Sequence, residues 1–155
     1  FIYRHQNVTT AGAWRTGGNM NNARRNLAAA GTQTAALAVG GGGGGNTEEY
    51  NGTSWSDSPD SPITAYVAAF GTQTATITAT GIPNTASAIY NGTSWTAGGN
   101  MGAARYSLGS AGLQTAALAF GGSPGGVVTT EQYDGSSWTS TVGILECTGR
   151  SDRLS

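Results

Sequence analysis

The hexapeptide Tyr50-Asn51-Gly52-Thr53-Ser54-Trp55 recurs unchanged as Tyr90-Asn91-Gly92-Thr93-Ser94-Trp95. It returns as Tyr133-Asp134-Gly135-Ser136-Ser137-Trp138, with Asp for Asn and Ser for Thr. The three tryptophans lie 40 and 43 residues apart. A second block precedes each copy: Gly31-Thr32-Gln33-Thr34, Gly71-Thr72-Gln73-Thr74 and Gly112-Leu113-Gln114-Thr115, at intervals of 40 and 41. A third block, Gly17-Gly18-Asn19-Met20 leading to Ala23-Arg24, recurs 81 residues on as Gly98-Gly99-Asn100-Met101 leading to Ala104-Arg105. Trp14 precedes its first copy as Trp95 precedes its second. Matched blocks at a fixed period mark an internal repeat, which must be read before anything else in the chain.

One unit resolves into four short segments. Residues 27–30 and 34–39 are apolar runs, separated by Gly31. The glycines at 40–45 form a loop that no strand interior tolerates. Residues 47–50 are a third segment. Asn51-Gly52 reads as a type I′ hairpin turn, because both residue types accept positive φ. Trp55 opens a fourth segment that ends near Pro59. Gly, Thr and Asn are spread too evenly for a useful helix. Four strands per 40 residues is the pattern of a β-propeller blade, so the predicted class is all-β.

Composition excludes several functions. The chain has 155 residues, enough for one domain. Gly supplies 26 of them, charged residues only 10%, and there is no Lys. A net charge of -1 with scattered Arg argues against nucleic acid. No apolar stretch approaches the ~20 residues of a membrane span. One Cys and one His exclude a disulfide framework and multi-histidine metal sites. No cofactor is expected.

The order of a Gly-Gly pair, a Tyr, a Trp, then Met and Arg resembles the Kelch repeat. The resemblance implies that Gly40-Gly41 and Gly121-Gly122 end second strands. Tyr50, Tyr90 and Tyr133 would lie in third strands, and Trp14, Trp55, Trp95 and Trp138 would open fourth strands. Arg24 and Arg105 would begin the following blades. The middle unit departs, with Thr80-Gly81 for Gly-Gly and Ala65 at the expected Arg position. The short Tyr-to-Trp gap implies a two-residue hairpin. The Gly/Thr/Ala/Asn/Ser-rich composition also resembles Kelch-like arrays in structural and tail fibre proteins of tailed bacteriophages, marine ones especially.

The chain reads as a single domain with full blades at about 24–61, 66–101 and 105–145. Residues 1–23 form a partial blade and residues 146–155 a terminal strand. Propellers close with about 4–8 blades, and an open wedge leaves faces uncovered. Either the ends complete a four-bladed ring or the chain is a segment of a longer array. Phe1 in place of Met favours the segment. Association of several copies is a further way to cover the faces.

Candidate chemistry is sparse. The glycine run lacks the Lys or following helix of a phosphate cradle. The Asn-Gly-Thr sequons are explained by turn chemistry. The Tyr and Trp series could stack sugars, but recurrence in every unit favours packing. Arg24, Arg25 and Arg105 suit an anion site less well than structural contacts to carbonyls, Glu48, Glu49 and Glu131. Cys147 and His5 lack an orienting third group. The expectation is a non-enzymatic structural or adhesive module of a virion appendage. Its binding loops are 40–46, 81–85 and 121–129, with Gly42, Asn46, Pro83, Asn84, Ser123 and Pro124 as candidate contacts. Expected partners are further blades, other virion proteins or a host-surface glycan. The alternatives are a cellular Kelch-type interaction module and a secreted carbohydrate-binding domain.

Overall fold

The computed structural model describes residues 16–64, 66–79, 84–124 and 128–141. They form three four-stranded antiparallel sheets, and no helix occurs among the described residues. The first sheet holds β1 (Ala28–Thr32), β2 (Ala35–Val39), β3 (Thr47–Tyr50) and β4 (Trp55–Ser58). The second holds β5 (Ala68–Thr72), β6 (Ala75–Ala79), β7 (Ser87–Tyr90) and β8 (Trp95–Ala97). The third holds β9 (Gly109–Leu113), β10 (Ala116–Phe120), β11 (Thr130–Tyr133) and β12 (Trp138–Thr141). Each is a simple meander with neighbours in chain order. The first strands lie beside one another, β1 against β5 and β5 against β9.

The repeated blocks are the turns of these meanders. Gly31, Gly71 and Gly112 have φ of 105°, 118° and 102°. A Cβ there would lie 2.2, 2.1 and 2.2 Å from the carbonyl oxygens of Ala35, Ala75 and Ala116, so only glycine fits. The Tyr-to-Trp hairpin differs from the sequence expectation. Tyr50 pairs with Trp55, leaving a four-residue loop rather than a two-residue type I′ turn. Asn51 is not among the residues with positive φ. Its Oδ1 instead accepts the Thr53 and Ser54 N–H groups at 2.9 Å each, so the side chain replaces the backbone turn. Asn91 and Asp134 do the same in their hairpins.

Alternation then decides which faces are covered. Ile77 and Ala79 of β6 join Ala68 and Phe70 of β5 in a core that also takes in Ala117, Ala119, Tyr133 and Trp138 of the third sheet. Met101, from the connection between the sheets, completes it. Trp138 lies 5.7 Å from Phe70, ring to ring. The junction of the first and second sheets is more polar. Tyr90 Oη contacts Ser58 Oγ and donates to Glu49 Oε1, and Trp95 Nε1 donates to the Pro59 carbonyl.

Two buried ion pairs tie the connections down. Arg24 reaches Glu48 at 3.2 Å and the Asn46 carbonyl at 2.9 Å. Arg105 reaches Glu131 at 2.6 Å and the Thr129 carbonyl at 2.7 Å. Each carboxylate also accepts backbone N–H groups from the preceding connection, Asn21 and Asn22 on Glu48 and Gly102 on Glu131. The middle unit lacks both partners. Its left-handed residue Tyr66 corresponds to Asn26 and Ser107 at the entry to the first strand. That register puts Thr64, not Ala65, at the Arg position, and Ala88 at the Glu position. Ser61 and Met101 correspond, since their N–H groups bond the equivalent carbonyls of Gly45 and Thr85. The connection from Ser61 to Thr64 is therefore one residue shorter than that from Met101 to Arg105, which explains the shifted sequence alignment. Ala65 itself lies outside the described residues.

Losing one half of such a pair strands a buried charge. Arg105→Ala is expected to cost about 3–5 kcal/mol, and Arg105→Ala with Glu131→Ala substantially less, as the middle unit's neutral pair implies. Urea unfolding of both variants checks this; equal costs would contradict it. The hairpins supply a pH test. The N–H groups of Ser137 and Ser136 hold the Asp134 carboxyl at about 2 against an ordinary 3.8. Its contribution to the turn is complete above the ordinary value and is lost as pH falls through about 2. The Ser136 and Ser137 amide shifts should titrate there by NMR, whereas those of Thr53, Ser54, Thr93 and Ser94 should not. Asp134→Asn should abolish the effect.

Candidate functional site: the loop end of the sheets

Each meander has two distinct ends. The Gly-x-Gln-Thr turns and Tyr-to-Trp hairpins share one end; the loops after second strands and the connections between sheets share the other. At the hairpin end the tyrosine and tryptophan of every unit pair, with ring centroids 5.0, 4.8 and 5.1 Å apart. Tyr90, Tyr133 and Trp138 are buried. Tyr50, Trp55 and Trp95 are half-buried, and each ring packs on its partner within the sheet.

The same end carries an interaction that the sequence pattern did not interpret. Gln73 Nε2 donates to the carbonyls of Ala36 and Tyr50 in the first sheet at 3.2 and 2.7 Å. Gln114 Nε2 repeats this on Thr76 and Tyr90 of the second sheet at 3.2 and 2.7 Å. Each turn thus latches onto the preceding sheet. The invariant Gln in all three blocks was the available signal.

Two adjoining concavities open at the loop end. A groove of about 240 Å³ is lined by Arg25, Asn26, Gly41, Gly42, Gly43 and Tyr66. A second, of about 180 Å³, adjoins it through Asn26 and Tyr66 and extends to Leu27, Val67 and Ser107. Tyr66 is 48% exposed and stands 5.5 Å from Tyr106, ring to ring. The exposed Tyr66 ring, backed by the half-buried Tyr106 and facing the exposed Arg25 in the groove, can stack on a flat or ring-shaped ligand and pair with an anionic group on it. Sequence reasoning missed both tyrosines. They occupy positions held by Asn26, Ser107 and Arg25 in other units, so no repeat signal marks them.

The sequence-derived site residues divide. Gly40, Gly41, Gly121 and Gly122 follow β2 and β10 with φ of 70°, 88°, 66° and 104°. Tyr50, Tyr90 and Tyr133 end third strands; Trp55, Trp95 and Trp138 begin fourth strands. Arg24 and Arg105 are committed to the buried pairs, while Arg25 is exposed. Among the loop candidates, Gly42 lines the groove. The Asn46 carbonyl is engaged by Gly40 and Arg24. Ser123 is bridged to Tyr106 and Pro124 is exposed. Asn84 is exposed and accepts from the Ala86 N–H. Trp14, His5, Thr80, Gly81, Pro83, Cys147, the partial blade's first 15 residues and the terminal segment 146–155 lie outside the described residues.

Among the described residues no cluster of three His, Cys, Asp or Glu could hold a metal, and no helix is long and apolar enough to cross a membrane.

Tyr66 adopts φ of 52°, a conformation costing a non-glycine residue roughly 1–2 kcal/mol. Asparagine bears it more easily and does so at the equivalent position 26. Tyr66→Asn should therefore keep or slightly raise the thermal midpoint while removing the ring. A fall of more than a few degrees would show that the ring is structural. Compared with known proteins, the chain matches no family model and no curated protein sequence.

Proposed function

We propose that the chain is a run of Kelch-like β-propeller blades serving, without catalysis, as a structural and adhesive module of a virion appendage. The observation that carries the scaffold is the placement of the three first strands side by side, the arrangement of inner strands around a propeller axis. The virion reading draws support from the resemblance of the Lys-free, Gly-, Thr- and Ser-rich repeats to phage fibre arrays.

The adhesive part draws support from the two ends of the sheets. The hairpin end repeats the same turns in all three sheets and the same latch at both junctions between them. The loop end varies, from a six-glycine loop at 40–45 to Gly-Gly-Ser-Pro at 121–124. The groove with Tyr66 and Arg25, and Tyr106 beside Tyr66, lies at that variable end. An aromatic face with an adjacent guanidinium suits an acidic host-surface glycan.

Immobilised acidic bacterial-surface polysaccharides are the probe. Saturable binding by the intact chain is expected, weakened about tenfold by Tyr66→Asn and again by Arg25→Ala. A folded chain that binds no glycan and no host surface would overturn the adhesive part. Recovery of the polypeptide from cells but never from purified particles would overturn the virion part.

A further inference from the structure

Among the described residues the Gln latch is used twice, and one half of it stands without its counterpart at each end of the row of sheets. Gln73 and Gln114 each bridge two carbonyls of the preceding sheet. Gln33, at the same turn of the first sheet, is exposed and makes no hydrogen bond among the described residues. The corresponding acceptors on the third sheet are the carbonyls of Ala117 and Tyr133. Both residues line an open notch of about 310 Å³, together with Leu118 and Gln132.

The flanking faces match in the same way. Leu37 and Val39, and then Ile77 and Ala79, are fully buried in their sheets. Their counterparts on the third sheet are the half-buried Leu118 and Phe120, which is 42% exposed. On the other side, Thr76 and Ala117 are buried at 0% and 3%, whereas their counterpart Ala36 in the first sheet is only half-buried. Among the described residues the row thus begins with a Gln33 that has no acceptor, beside a face on which Ala36 is half-buried and Ala38 is 1% exposed, and it ends with an open acceptor notch on the third sheet.

We infer that copies of this chain associate head to tail, Gln33 of one copy entering the Ala117–Tyr133 notch of the next. The occupant is a second copy because its Gly-x-Gln-Thr turn carries the same primary amide that bridges two carbonyls at both junctions inside the chain, and Gln33 is the copy of that turn with no partner among the described residues. Such a contact joins different surfaces of the two partners, so it propagates into a row or closes into a ring.

Sedimentation of the full chain tests this. The mass should rise with concentration above the 15.6 kDa of one chain. Gln33→Ala removes the donor at an exposed position and should weaken association by about tenfold or more. Leu118→Glu puts a charge on the acceptor face and should abolish it; Phe120→Glu, at a more exposed position, serves if Leu118→Glu unfolds. Mixing the donor variant with an acceptor variant should restore a dimer, since one intact junction remains between them. A single-chain mass at all concentrations, indifference to Gln33→Ala, or no recovery on mixing would each overturn the inference. Failure of glycan binding would leave it untouched.

Discussion

A four-stranded meander of small residues cannot bury enough apolar surface to stand alone, so this chain depends on how one sheet grips the next. That grip centres on a primary amide placed between two carbonyls of the preceding sheet. The carbonyls belong to residues paired across the second and third strands, Ala36 with Tyr50 and Thr76 with Tyr90, so one amide meets both. A glutamine reaches both only if the turn that carries it lies close against the neighbour. The glycine two residues earlier permits this by taking positive φ where a Cβ would strike the following strand. Turn, latch and sheet spacing are thus one constraint, which is why the Gly-x-Gln-Thr block is repeated with so little change.

Other contacts are free to vary once the latch is set. The second sheet presents Tyr90 to Glu49 and Ser58 of the first, and both satisfy its hydroxyl. At the next junction the same positions hold Ile89 and Gly98, and the Tyr133 hydroxyl is buried without a hydrogen-bond partner. The third sheet offsets that with the apolar cluster around Phe70, Ile77 and Trp138. A similar exchange governs the Arg–Glu pairs. Two units spend desolvation energy on a buried pair and gain a tie between connection, loop and third strand. The middle unit drops both charges together, which avoids leaving one uncompensated.

The strand pattern was legible in the sequence because each turn has its own chemistry. Gly31, Asn51-Gly52 and the glycine run at 40–45 bracket the four strands closely. The turn type at Asn51 was misread because composition alone cannot tell an asparagine that supplies positive φ from one that supplies a side-chain acceptor. The Arg register in the middle unit was misread because a one-residue deletion lies in a segment with no glycine to mark it. Of the candidate site, the loops were legible and the tyrosines were not. Tyr66 and Tyr106 depart from the repeat, and a repeat search discards departures as noise.

That last point bears on where function resides. In a repeating scaffold, residues that recur are explained by the contacts every unit must make. Among the described residues the recurrent Tyr, Trp and Gly, and two of the three Gln, have such contacts, at the hairpin end or between the sheets. On the proposed adhesive role, what remains for recognition is what differs, and the differences gather at the opposite end. Tyr66 retains a costly backbone conformation that Asn26 and Ser107 also adopt, so the conformation belongs to the fold while the ring belongs to this unit alone. An aromatic ring held at 48% exposure on a backbone fixed by the scaffold needs no further ordering to meet a ligand. The rigid end therefore serves the variable one: latches that fix the sheets also fix the spacing of the loops and of the rings between them.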